Sequence, residues 1–305
     1  MPDRNQIREA LTGPITSIRP PFHRDGTLDA DGLCSAIDFN IAAGSQAMLL
    51  TAGDSHLISM SDQEIADLSR LVIEHTGGRA IVVTADRHFN TNQAVRFAEH
   101  ARDIGADVHM VLPPDWGASC TPETLRDHYA RIAEILPVML VTNIFIPRGE
   151  TFGIQTVEHV YETVENVVAV KDDMLGPFAR KMTLAVRDRW AVFSGGQKQN
   201  HLDLHPYGCH GFMSTFMSFK PDITHRYWAA IQVGDLATAA AVIRDVDHPF
   251  FDILKASPGG FDAAIHGVME VFGIYPRWRP LPYYSLSDAE LESLADALRG
   301  IDISP

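Results

Sequence analysis

The chain has 305 residues, 46% of them hydrophobic and 21% charged, with a formal charge of -14. That is globular composition with enough length for a sizeable core in one large domain, or one plus an appendage, and it excludes a disordered or fibrous chain. The acidic balance argues against nucleic-acid backbones and anionic membrane surfaces as partners. Cys34, Cys120 and Cys209 are widely spaced and form no CxxC pattern, so neither a disulfide framework nor a zinc ribbon is indicated. The first thirteen residues carry charges and no apolar leader, and no later run approaches the roughly 18 apolar residues of a membrane span. A soluble, cytoplasmic protein is expected.

From Pro14 onward short apolar runs alternate with helix-like segments, the pattern of repeated βα units. Strands are expected at 15–18, 47–50, 80–84, 108–112, 138–142, 167–171, 191–194 and 211–213. Between them, helices are expected at about 30–43, 62–74, 91–104, 122–135, 154–163, 177–187 and 200–205, with another from about 221. Ser61 ahead of Asp62 and Glu64, and Thr121 ahead of Pro122 and Glu123, read as helix starts; Gly44, Gly77-Gly78 and Gly105 read as stops. Eight such repeats suit a (β/α)₈ TIM barrel better than a doubly wound sheet, and no GxGxxG follows the first strand. The barrel is expected over 1–220. A helical extension packed on it is expected over 221–305, with helices at 224–243, 250–272 and 287–298.

The stretch Val167-Val168-Ala169-Val170 reads as a buried parallel strand, and it stops at Lys171. Burial disfavours the charged ammonium, and a neutral amine is what condenses with a ketone to form a Schiff base. A lysine at this point can also snorkel into solvent or pair with Asp172 or Asp173. Barrel topology favours the nucleophile, because chemistry in this fold sits at the C-terminal ends of strands. Thr51, Asp86, His88, Thr142, Asn143 and Ser194-Gly195-Gly196 fall at the same ends.

Three motifs then resemble the N-acetylneuraminate lyase and dihydrodipicolinate synthase family of Schiff-base-forming barrels. Leu50-Thr51-Ala52-Gly53-Asp54-Ser55 looks like the family's GTTGE loop, and Val168-Ala169-Val170-Lys171 like its lysine strand. Phe193-Ser194-Gly195-Gly196 with Gly208 to Ser214 resembles its pair on strands 7 and 8. The resemblance implies that Lys171 forms an imine with pyruvate or another 2-oxo acid. It implies that Thr51 and the Thr51 and Ala52 amides hold the substrate carboxylate, with Asp54 where the family usually has Glu. Gly195 would let the backbone approach the substrate, and Arg148 matches an arginine that some members keep for a substrate carboxylate. It also implies a homotetramer, commonly a dimer of dimers, and no cofactor beyond the covalent imine.

The chain departs from the family at strand 5, where a tyrosine normally relays protons. Thr142-Asn143 stands there instead, and a threonine hydroxyl is a poor acid or base. Asp86, His88 or His56 is expected to supply the replacement, with His88 preferred. Pro113-Pro114-Asp115-Trp116 replaces the tyrosines of the lysine-pathway synthases, which argues against that activity itself. His201, Asp203, His205, Cys209 and His210 lie close in sequence, but no metal site is expected of them because the lysine supplies the electrophile. The expected function is a lyase acting by aldol cleavage or addition. Dehydration of a keto-deoxy sugar acid through the same imine is the first alternative. A catalytically reduced relative that only binds a 2-oxo acid is the second.

Overall fold

The structure, a computed structural model, describes residues 2–87 and 89–305. In chain order the elements are α1 (Arg4–Ala10), β1 (Gly13–Ser17), α2 (Ala30–Ala42), β2 (Ala47–Leu49), α3 (Asp62–Thr76), β3 (Ile81–Ala85), α4 (Thr91–Asp103) and β4 (Val108–Val111). There follow α5 (Pro122–Ala133), β5 (Val138–Val141), α6 (Glu150–Thr163), β6 (Val167–Asp172), α7 (Gly176–Val186), β7 (Ala191–Ser194), α8 (Gln197–Leu204) and β8 (Gly211–Met213). The C-terminal helices are α9 (Pro221–Gln232), α10 (Leu236–Val242), α11 (His248–Ala256), α12 (Gly260–Val271) and α13 (Asp288–Arg299).

The strands pair in parallel in sequence order, and β8 returns to β1, so the sheet is a closed (β/α)₈ TIM barrel followed by helices. Strands β2, β4, β5, β6, β7 and β8 are buried at every residue, as expected of strands covered on both faces. Local chemistry places the helix ends. Ser61 and Glu64 form a reciprocal capping box on α3, and Gly77 ends it in the left-handed region at φ 57°.

The chain divides into two compact units: the barrel unit, which runs to Ile18 and resumes over Ser45–Met213, and a second of Arg19–Gly44 with Ser214–Pro305. The sequence reading put its boundary at 220, whereas this division falls after Met213 and groups α2 with the C-terminal helices. Two long helices expected there are broken. Gly234 at φ 74° separates α9 from α10, and Gly259 at φ 71° lies between α11 and α12. The sequence reading also missed α1, which Asp3 and Gln6 cap reciprocally and which buries Ile7.

Candidate active site

A cavity of about 290 Å³ opens at the C-terminal ends of the barrel strands. Its lining includes Met110 and Leu112, Val141 and Asn143, and Lys171 and Asp173, each pair two residues apart, as the alternation of a strand requires. The cavity brings together Lys171, Thr51, Ala52, Asp54, Asp86, Asn143 and Gly195 of the residues read from sequence, and adds Asp173 and Met213.

Lys171 is the penultimate residue of a strand that is buried throughout, and its own side chain is 10% exposed. Its Nζ donates to a carboxylate oxygen of Asp173, so the lysine is both ion-paired and inside the cavity. Gly195 lies against this pair. A Cβ there would stand 1.8 Å from Asp173 Oδ1 and 2.6 Å from Lys171 Nζ, distances that real atoms do not adopt. The absent side chain therefore makes the room the amine occupies.

Across the barrel the loop after β2 is tied from within. The Thr51 N–H donates to Ser55 Oγ at 3.0 Å, and Ser55 Oγ donates to Ile18 O at 2.6 Å. Thr51 Oγ1 accepts from the Asp54 N–H at 3.1 Å, and Asp54 Oδ2 accepts from Ser17 Oγ at 2.6 Å. The Thr51 amide, read from sequence as a carboxylate donor, is thus already engaged. The neighbouring Ala52 lines the cavity, as does Gly53.

Thr142 is placed otherwise than the sequence reading expected. Val141 faces the cavity, so the next residue faces away, and Thr142 is fully buried outside the lining. Its hydroxyl donates to Asp172 Oδ1 at 2.9 Å and accepts from the Asp173 and Met174 amides at 2.8 and 3.2 Å. Asp172 also accepts from the Leu175 amide at 3.1 Å, and burial pushes its carboxyl above the usual range against these bonds. The Thr142 knot pins the strand end that carries Lys171. Asn143 is the member of the strand-5 pair that reaches the cavity.

Arg148 is likewise not a lining residue. Its guanidinium pairs with Asp115 at 2.7 Å and lies 3.9 Å from the centroid of the Phe152 ring. His56 is buried at φ 57° and also outside the lining. His88, the preferred proton carrier of the sequence reading, lies outside the described residues. Among the described residues no group of three His, Cys, Asp or Glu converges as a metal site does. In that region His201 packs on Phe212 with centroids 4.8 Å apart, and burial pushes the Cys209 thiol up to about 12.

The sequence reading missed two relationships at the site. Asp173 appeared there only as a possible ion-pair partner, and His109 not at all, although a histidine inside Val108-His109-Met110-Val111 is a visible irregularity in an apolar strand.

A parallel eight-stranded barrel with an inward lysine near the end of its sixth strand defines the class of protein at hand. A sequence model of the dihydrodipicolinate synthetase family matches residues 10–301, and the chain belongs to that family. It is 31% identical over 275 residues to the 4-hydroxy-tetrahydrodipicolinate synthase of Psychrobacter arcticus, covering 86% of this chain and 87% of the relative. It is 28% identical over 308 residues to a probable 5-dehydro-4-deoxyglucarate dehydratase of Streptomyces avermitilis, covering 97% and 88%. The crystal structure of dihydrodipicolinate synthase from Oceanobacillus iheyensis shares the fold with a TM-score of 0.84 at 20% identity, over 98% of this chain and 99% of that one.

Proposed function

We propose that this chain is a lyase in which Lys171 condenses with the ketone of pyruvate or a longer 2-oxo acid. The observation that carries the reading is the Lys171 amine inside the cavity, against Gly195 and hydrogen-bonded to Asp173. Asp173 takes a proton from the ammonium, the freed amine attacks the carbonyl carbon, a second proton passes from that nitrogen to the alkoxide oxygen, and the Asp173 acid returns the first to the resulting hydroxyl, which departs as water. The resulting imine is the electron sink for aldol cleavage or addition, so the reaction draws on no resident cofactor. The substrate carboxylate is held by the Thr51 hydroxyl and the Ala52 amide, with the Gly53 amide beside them, since the Thr51 amide is committed to Ser55. Asn143 reaches the substrate from β5, and Thr142 acts through the strand end it pins.

Dehydration of a keto-deoxy sugar acid by the same imine is the second reading, favoured by the dehydratase relative that matches nearly the whole chain. A homotetramer and a cytoplasmic location belong to the proposal as well; light scattering on the purified protein measures the first. Borohydride reduction in the presence of pyruvate and longer 2-oxo acids, followed by intact mass and peptide mapping, tests the chemistry. A reduced adduct on Lys171, absent in Lys171→Arg, is expected. No adduct with any acid sinks the proposal, and product analysis separates release of an aldehyde from loss of water.

A further inference from the structure

Bond making at an imine needs a group that removes and returns protons on the substrate, and among the described residues no tyrosine lines this cavity. Among the described residues four titratable side chains line it: Asp54, Asp86, Lys171 and Asp173. Asp54 accepts from Ser17 Oγ, and Asp173 is paired with Lys171. Asp86, just past β3, is set differently, because a histidine stands behind it. His109 on β4 is fully buried, and its Nε2 lies 3.7 Å from Asp86 Oδ2. The other ring nitrogen, Nδ1, is 3.1 Å from Thr84 Oγ1, and the Phe97 ring covers the imidazole at 5.5 Å between centroids.

At 3.7 Å the contact is longer than a hydrogen bond, so the imidazole packs behind the carboxylate and sets its position without bonding to it directly. A carboxyl on the cavity wall with an imidazole packed behind it is placed to act as acid and base.

We propose that Asp86, positioned by His109, is the group that moves the substrate proton in this chain. The inference rests on the imine reading above. With a hydroxylated 2-oxo acid bound as the Lys171 imine, the Asp86 carboxylate takes the proton from the C4 hydroxyl. The C3–C4 bond breaks, its electron pair forms the C2–C3 double bond, and the imine π pair moves onto nitrogen; an aldehyde and an enamine result. The same proton then passes from Asp86 to C3, regenerating the imine. With pyruvate alone the second step runs in both directions, and C3 hydrogens exchange with solvent. Asp86 is thus a catalytic residue, whereas His109, which lines no part of the cavity, is a positioning residue.

The test uses pyruvate in D₂O. Borohydride trapping followed by intact mass reports the imine, and proton NMR reports exchange at C3. The wild-type chain is expected to trap pyruvate and exchange. Asp86→Ala should still trap it while exchange falls at least about hundredfold, the scale of general acid–base catalysis, with partial rescue by added formate. His109→Gln, which leaves the cavity wall intact, should trap normally and exchange about tenfold more slowly. Wild-type exchange in a trapping Asp86→Ala variant overturns the inference, as does trapping without exchange in the wild-type chain. Should Asp86→Ala fail to trap, unchanged exchange in His109→Gln overturns it. Absence of trapping in the wild-type chain removes the imine reading itself, a different failure.

Discussion

At Gly195 the demand of the site on one residue is plainest, because the space a methyl group would fill already holds the Lys171 amine and the Asp173 carboxylate. Gly195→Ala is therefore expected to push one or both aside. A displacement on the order of an ångström costs about a hundredfold in the rate of a positioned reaction, so the rate of borohydride trapping should fall by that factor. Far-UV circular dichroism should be unchanged, since Gly195 sits at the strand end and holds no positive φ. Lys171 itself was legible in the sequence, as a cation terminating an apolar run. Its partner was not, because Asp172 and Asp173 both lie within two residues of it and only the strand end's geometry brings Asp173 into the cavity and leaves Asp172 behind.

Elements meet at the Thr142 knot, where the turn after β5 clasps the end of β6. One hydroxyl there satisfies the Asp172 carboxylate and two backbone amides. Thr142→Val keeps the shape and takes the hydroxyl from the Asp173 amide, while the Met174 amide and the Asp172 carboxylate keep their bond to each other, at a cost of about 1–3 kcal/mol. Urea unfolding should show a lower midpoint with an unchanged m-value, and trapping should slow because the strand end that carries Lys171 loosens. An unchanged midpoint would show the knot to be dispensable. The register of these two strands also shifts by one residue between Val138 and Met139, so that Lys171 comes level with Val141. A slip of one residue reverses which side chains face the cavity, and the sequence of neither strand announces it.

For the molecule as a whole, two buried histidines set a dependence of stability on pH. Burial lowers His128 to about 4 and His201 to about 3, the latter with His205 adding repulsion, from the ordinary 6.5. Both are neutral in the folded chain at neutral pH, and the unfolded chain takes up protons first. Their contribution is thus fully present above about pH 6.5 and is lost as pH falls from there toward 4 and 3. Each histidine contributes a slope on the order of 1.4 kcal/mol per pH unit in that window. Thermal unfolding midpoints should fall steadily from pH 7 to pH 5. His201→Phe, which suits the packing against Phe212, should flatten that fall; an unaltered slope would assign it to other groups.

The eight strands with the helices that alternate with them, the closed barrel and the lysine near the end of β6 were determined by the sequence alone. Each rests on local information: apolar runs, helix caps, glycine stops and one charge out of place. What only the tertiary structure decided is which residues face one another across strands, namely Asn143 rather than Thr142 toward the cavity, Arg148 held by Asp115, and His109 behind Asp86. Those relations depend on register, alternation and barrel closure, which join residues far apart in the chain and leave no periodic trace along it.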